Sequence, residues 1–332
     1  MTLQEQGDII AGKYRVSSLL GAGGLGEVFL CHDIETETPV AIKRLKNDIT
    51  VPQAVIDQTQ REAKILSSLR HRNIIRILDF GLDRKGFYFV LEFVDGPSLA
   101  DVISQAPLPV HVFLNVASQS LEGLSAAHRK GLLHLDIKPA NLMLHLYPSE
   151  DYVVKILDFG VAKFAEEAAQ EVDEDEETFG SIFYISPEQL NQQPFDTRAD
   201  IYSLGHVLYH SLTGHIAWPT LREPLDLVNA HLFTPPTRIE ELVEGIDPEL
   251  CEWIYWLLAK NPDDRPANAQ AALAVLTKII LRLKKEEDPD TFTEELHIPE
   301  VDYAQDAPPA HTEVASRKKN KNNLFDFFKK KQ

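Results

Sequence analysis

The sequence predicts an α+β protein in two unequal parts, a small β-rich lobe followed by a larger helical one. Before about residue 95, short segments with alternating or β-branched apolar positions dominate; from about residue 98, apolar positions recur at helical spacing. The chain has 332 residues, 44% apolar and 25% charged, ordinary values that exclude wholesale disorder, collagen-like repeats and coiled coil.

Strands are expected at 14–20, 27–32 and 39–45, separated by Gly or polar turns. A helix follows at 55–69, where Val55, Thr59, Glu62, Leu66 and Leu69 trace one stripe with Ile65 beside it. Two more strands, 74–80 and 87–94, flank a turn at 83–86. Helical periodicity then runs through 111–129, 200–212, 225–232, 248–259 and 267–283. No repeat period appears, which argues against solenoids and propellers.

Charge sets the boundaries. The stretch 164–177 holds eight acidic residues and no basic one, so it reads as a self-repelling loop inside the domain. From 286 to 313 there are ten acidic residues, no Lys or Arg, and prolines at 289, 299, 308 and 309, the composition of a linker. The last segment, 317–332, reverses sign with seven basic residues against Asp326, around Leu324, Phe325, Phe327 and Phe328. Overall, 33 basic against 51 acidic residues give −18, which disfavours nucleic acid as a partner and favours basic ones. Two cysteines, Cys31 and Cys251, are too few for a disulfide framework and suit a reducing compartment. No apolar run approaches the ~18 residues of a membrane span, and the first ten residues lack a signal-peptide pattern, so a cytoplasmic location is expected.

Gly21, Gly23 and Gly26 form G-x-G-x-x-G, a spacing that lets backbone approach phosphate but is shared with dinucleotide-binding folds. In those folds the last Gly opens a helix. Here 27–32 continues as strand, so the glycines form a hairpin lid. Lys43, in Val40-Ala-Ile-Lys, lies among apolar neighbours and needs an anion to face. Glu62 interrupts the apolar stripe of the 55–69 helix, where an unpaired carboxylate is costly, so an ion pair between the two is expected.

The sequence His134-Leu-Asp136-Ile-Lys138-Pro-Ala-Asn141, followed seventeen residues later by Asp158-Phe159-Gly160, carries the strongest signal. With LGAGGLGEV, YISPE and DIYSLG, it resembles the eukaryotic-type protein kinases, most closely their bacterial Ser/Thr branch. The resemblance runs from about residue 14 to 283. It implies the two-lobed protein kinase fold: a five-stranded antiparallel lobe with one helix (14–93), a mainly helical lobe (94–283), ATP between them, and a flexible tail at 284–332, acidic and then basic.

Carried over residue by residue, the resemblance makes Asp136 the catalytic base and places Lys138 against the γ-phosphate, a lysine typical of the Ser/Thr branch. Asn141 and Asp158 become ligands of Mg²⁺, for which Mn²⁺ could substitute. ATP would contact Leu20, Gly21, Gly23, Gly26, Val28, Ala41, Lys43 with Glu62, the Glu92 carbonyl and the Val94 amide, with Leu91 as gatekeeper. Glu188 and Arg265 would form a buried structural pair, and Asp200 would be structural too. A second DFG, Asp79-Phe80-Gly81, precedes the catalytic loop and reads as strand and turn.

The implied activity is ATP-dependent phosphorylation of protein Ser or Thr. The alternatives are a small-molecule kinase of related fold, which would lack the peptide-positioning segment, and an ATP-binding pseudokinase or scaffold, which would have lost Lys43, Asp136 or Asp158. Leu135 departs from the pattern, standing where many members have an Arg that grips a phosphorylated activation loop. Thr178 and Ser181 are candidate phosphosites, and Ser181 is also placed to bond Asp136 and Lys138. The acidic stretch before them favours substrates with basic residues near the acceptor. The 317–332 segment is read as a candidate docking element for a partner protein or an anionic membrane.

Overall fold

The computed structural model describes residues 5–23, 26–45, 64, 67–147, 152–159, 181–221 and 223–287. The small lobe is an antiparallel six-stranded sheet in the order β1-β2-β3-β4-β6-β5. Its strands are β1 (Ile9–Ile10), β2 (Tyr14–Gly23), β3 (Gly26–Asp33), β4 (Pro39–Leu45), β5 (Ile77–Asp83) and β6 (Gly86–Glu92). This is one strand more than expected: β1, paired to β2 through Ile9↔Arg15 and Ile10↔Tyr14, is too short to carry a periodic signal. Most of the expected helix at 55–69, Glu62 included, lies outside the described residues; its last turn leads to the buried Leu69.

The pleat sorts the sheet into two faces. Phe29, Cys31, Val40, Ile42, Tyr88 and Val90 pack with Ile10, Tyr14 and Val16 into a separate core on one face. Their sequence neighbours point the other way. Val28 pairs with Lys43 and Lys43 with Phe89, while Leu30 pairs with Ala41 and Ala41 with Leu91. That second face turns toward the large lobe, so alternation alone places Lys43 there.

β5 begins at Ile77, three residues later than expected. The residues before it belong to the large lobe: Ile75 donates to the Ile156 carbonyl and Ile156 to the Asn73 carbonyl. The Asn73 side chain reaches Gln119 Oε1 and the Val154 carbonyl at 2.8 and 3.0 Å. Asp79-Phe80-Gly81 is strand, paired with Val90, Phe89 and Tyr88.

The large lobe contains α1 (Leu99–Ile103), α2 (Val110–His128), a short 3₁₀ turn (Pro139–Asn141), the hairpin β7 (Leu142–Leu146) and β8 (Tyr152–Ile156), then α3 (Pro187–Leu190), α4 (Thr197–Thr213), α5 (Pro224–Phe233), α6 (Pro248–Leu257) and α7 (Ala269–Glu287). α2 packs against α7, α4 and β8. α4 is buried almost all round, as a central helix must be; Asp196 caps its start by accepting from the Arg198 amide at 2.9 Å. α1, α3 and the β7–β8 hairpin are elements that periodicity did not reveal. Among the described residues, no helix is long and apolar enough to cross a membrane.

Candidate active site

The segment 134–141 leaves α2 and folds into the cleft as a loop held by side chains. Asp136 stands at its centre. Its carboxylate accepts from the Ser181 hydroxyl at 3.1 Å and lies 3.0 Å from Lys138 Nζ, which also reaches Ser181 Oγ at 3.0 Å. Asn141 Nδ2 donates to the Asp136 carbonyl at 2.8 Å and to its Oδ2 at 3.1 Å. Because the amide nitrogen is committed to Asp136, the oxygen Oδ1 is the end left for a cation. The Asn141 carbonyl accepts from the Leu157 amide, which sets Asp158 beside the loop.

His134 supports this loop from beneath. Its Nε2 must donate to the Leu157 carbonyl at 2.6 Å, so its Nδ1 is free to accept from the Asp136 amide at 3.2 Å. The ring also packs on Phe159, 4.7 Å between centroids. Asp200, fully buried in the first turn of α4, accepts from the amides of His134 and Leu135 at 2.9 and 2.7 Å and from His128 Nε2 at 2.8 Å. Burial pushes the Asp200 carboxyl up, but the His128 hydrogen bond and charge hold it below the usual range, so it stays ionised.

On the small-lobe side, Lys43 Nζ pairs with Asp158 Oδ2 at 2.8 Å. Asp158 has φ +57°, left-handed for a non-glycine residue. Burial raises its carboxyl, and the Lys43 charge and hydrogen bond overcome that and hold it low. The expected Lys43–Glu62 pair falls outside the described residues. Gly21, Gly23 and Gly26 lie where β2 and β3 meet, in the register Gly21↔Val28 and Gly23↔Gly26, so the glycine motif is a hairpin between strands. Leu20 is exposed, Val28 half-buried and Ala41 buried.

Behind these residues, Lys43, Ile77, Phe89, Leu91, Asp158 and Phe159 line a small recess. The connection between lobes runs through Glu92 and Val94. The Val94 amide donates to no acceptor among the described residues. The Glu92 side chain takes Lys155 Nζ at 2.6 Å and the Arg76 amide at 3.0 Å, tying the connection to β8.

The wall of the cleft that carries Ser181 and α3 is anchored by a buried pair. Arg265 donates to both oxygens of Glu188 at 2.7 and 2.8 Å and to the carbonyls of Ala259, Arg198 and Lys260. The Tyr184 hydroxyl meets His210 Nδ1 at 2.9 Å. Thr178 lies outside the described residues.

The structure thus brings together Asp136, Lys138, Asn141, Ser181, Lys43 and Asp158. Sequence reading missed His134 as a brace, Lys155 as partner of Glu92, and Gln189, whose amide reaches the Leu135 carbonyl at 3.2 Å. Only Gln189 left a local signal: Ser186-x-x-Gln189 is a capping-box pattern at the start of α3.

Comparisons with known proteins agree with this arrangement. The family described as protein kinase domain matches residues 14–275. The chain is 36% identical over 280 residues to the serine/threonine-protein kinase pkn3 of Myxococcus xanthus, covering 82% of this chain and 51% of that protein. It is 31% identical over 275 residues to PknB of Mycobacterium tuberculosis, covering 81% and 43%. It therefore spans about half or less of these relatives' length. The crystal structure of the M. tuberculosis PknI kinase domain superposes with a TM-score of 0.62 at 24% identity, over 83% of this chain and 99% of that one, a likeness of fold. The match over most of the chain means that this chain belongs to the protein kinase domain family.

Proposed function

We propose that the chain transfers the γ-phosphoryl group of ATP to serine or threonine hydroxyls of proteins. The observation that carries this reading is the Asp136 carboxylate, which already accepts a hydroxyl hydrogen bond, with Lys138 3.0 Å away. In the reaction, Asp136 orients the substrate hydroxyl and takes its proton as the oxygen bonds to the γ-phosphorus. The bond from that phosphorus to the ADP oxygen breaks. Lys138 and Lys43 offset charge on the phosphates, and little covalent work is left to the protein. ATP would lie under the Gly21–Gly23–Gly26 hairpin against Leu20, Val28 and Ala41, with its adenine on the Glu92 carbonyl and Val94 amide.

Asn141 Oδ1 and the Asp158 carboxylate are hard oxygen donors and fit a Mg²⁺ ion that takes its remaining ligands from phosphate and water. When bound, that ion would neutralise phosphate charge.

Within this reading the catalytic domain is 14–283 and the tail begins at 284, although α7 carries helix on to Glu287. The eight carboxylates of 164–177 favour acceptors flanked by Lys or Arg. Leu135 cannot grip a phosphate, so activity should depend weakly on phosphorylation at Thr178 or Ser181. The basic, apolar segment 317–332 docks an acidic partner protein or an anionic membrane, and a cytoplasmic setting fits two free, buried cysteines.

The test is incubation with labelled ATP, Mg²⁺ and panels of basic and acidic proteins, with Asp136→Asn as control and phosphoamino-acid analysis of the product. Phosphoserine or phosphothreonine that vanishes in the control is expected. ATP binding without turnover would instead leave a pseudokinase, and label on small molecules alone would remove the protein substrate. Deleting 317–332 and measuring vesicle co-sedimentation and binding to acidic protein tests the tail.

A further inference from the structure

Leu135 sits immediately before Asp136 with φ +63°, in the left-handed region that a leucine does not hold unaided. The peptide unit joining the two residues is fixed at both of its polar atoms. Its N–H, from Asp136, donates to His134 Nδ1 at 3.2 Å, and its carbonyl, from Leu135, accepts from Gln189 Nε2 at 3.2 Å. Rotation of this plane would swing the Asp136 side chain away from Lys138 and Ser181. The Leu135 amide, on the other side, is held by Asp200 Oδ1 at 2.7 Å.

The orientation of Gln189 is forced. Its Oε1 accepts from the Ser186 hydroxyl at 2.9 Å and the Ser186 amide at 3.3 Å, so only the NH₂ end can face Leu135. Ser186 caps α3, and Glu188, the residue immediately before Gln189, is locked by Arg265. A continuous path of contacts thus joins the buried Arg265–Glu188 pair to the peptide bond that aims Asp136. It runs through a main-chain carbonyl, so it needs neither an arginine at 135 nor a phosphate.

We propose that Gln189 is a positioning residue that couples the peptide-binding segment to the catalytic loop, holding the Leu135–Asp136 peptide plane in the productive orientation without phosphorylation. This rests on the kinase reading above. It accounts for a loop that departs from the family pattern at Leu135 yet keeps every other part.

The test compares phosphatase-treated wild type, Gln189→Leu, Gln189→Glu and Asp136→Asn. Gln189→Leu is expected to lower kcat by about tenfold or more, the scale on which small misplacements of a reacting group act, with KM for ATP within about twofold. Gln189→Glu keeps the shape, but as a carboxylate it turns an oxygen onto the Leu135 carbonyl; once protonated, its O–H can donate there. Its kcat relative to wild type at the same pH should therefore rise as the pH falls from 8 toward 5, the ratio cancelling every titration that the two proteins share.

A wild-type kcat in Gln189→Leu, or a Gln189→Glu ratio flat with pH, would overturn the proposal. The second measurement decides it even if the leucine variant fails to fold. Wild type no more active than Asp136→Asn would overturn the kinase reading and this proposal with it, whereas an active wild type beside unaffected Gln189 variants would overturn this proposal alone.

Discussion

On the large-lobe wall of the cleft, polar side chains are held from several sides: Asp136 by Ser181, Lys138 and Asn141, and Asp200 by His128 and two amides. On the small-lobe wall, Lys43 has a single ion-pair partner among the described residues, Asp158, and Leu20, Gly21 and Ala22 of the glycine hairpin are exposed. The first wall is arranged before any ligand arrives, so its dipoles need not reorganise during reaction. The second is a sheet face on which Lys43, held only by Asp158 among the described residues, would gain a further partner in phosphate. Removing an anchor of the first should therefore cost stability, whereas removing a charge that faces the cleft should cost turnover on either wall and nucleotide binding as well on the second.

The largest expected effect lies in the anchor of the first wall. Arg265 and Glu188 are 4% and 3% exposed, and removing one partner leaves an uncompensated buried charge. Arg265→Met should destabilise the fold by about 3–5 kcal/mol, read as a lower denaturant midpoint. Adding Glu188→Met should restore much of that loss, because a buried pair is often replaceable by apolar groups of similar volume. If the single variant keeps the wild-type midpoint, the anchor is not where the wall's rigidity comes from.

Next come the charges themselves. Asp136→Ala and Lys43→Ala should each remove roughly 3–4 kcal/mol of transition-state stabilisation, about 10²–10³ in kcat/KM, while leaving the denaturant midpoint close to wild type. The comparison is sharpened by the split. Asp136→Ala should act on kcat with KM for ATP little changed, whereas Lys43→Ala should also raise KM for ATP. Identical splits for the two would erase the distinction between the walls.

Acid should attack the large lobe first. Burial holds His206, His210 and His231 low, His210 to about 4 and His231 to about 3, with Lys260 adding to the effect on His231. Burial also lowers His71, between the lobes, to about 4. In the unfolded chain these rings titrate near 6.5, so between about pH 6.5 and 4 the unfolded state binds protons that the folded state refuses. Stability should be level above pH 7 and fall with decreasing pH in that window, by up to about 1.4 kcal/mol per pH unit for each ring. His210→Gln, which keeps an acceptor for the Tyr184 hydroxyl, should make denaturant midpoints less steep with pH by one ring's share.

Legibility followed the same division. Strand alternation gave both faces of the small-lobe sheet, because the pleat puts Ala41 and Lys43 on one side and Val40 and Ile42 on the other. Asp136, Lys138, Asn141 and Asp158 were legible as a motif because they stand at fixed spacing in one stretch of chain that resembles the kinase family. The supports were not. Gln189 and Leu135 are 54 residues apart, as are the partners Glu92 and Lys155 by 63, and no local pattern encodes such meetings. Short elements escaped for a related reason: α1 has five residues and β1 two, too few to complete a period, although Ser98-x-x-Asp101 at the start of α1 is a capping box written in the sequence. The start of β5 was misjudged because Ile74 and Ile75 have strand-like side chains but give their backbone to β8.

The smallest effects come from within the glycine hairpin, and they separate folding from ligand approach. A Cβ at Gly26 would run into the Arg44 carbonyl across the β3–β4 pair, and backbone there cannot retreat without opening the Gly26↔Leu45 register. Gly26→Ala should therefore destabilise the small lobe by about 1–3 kcal/mol and weaken nucleotide binding as a consequence. At Gly21 a Cβ would meet nothing within 4 Å, so Gly21→Ala should move the denaturant midpoint by no more than about 0.5 kcal/mol. Any rise in KM for ATP in that variant then reports a methyl group between backbone and phosphate, since the fold is untouched. A Gly21→Ala protein with unchanged stability and unchanged KM would mean that the nucleotide does not approach the hairpin at Gly21, and that the lid closes nearer Gly23 and Gly26.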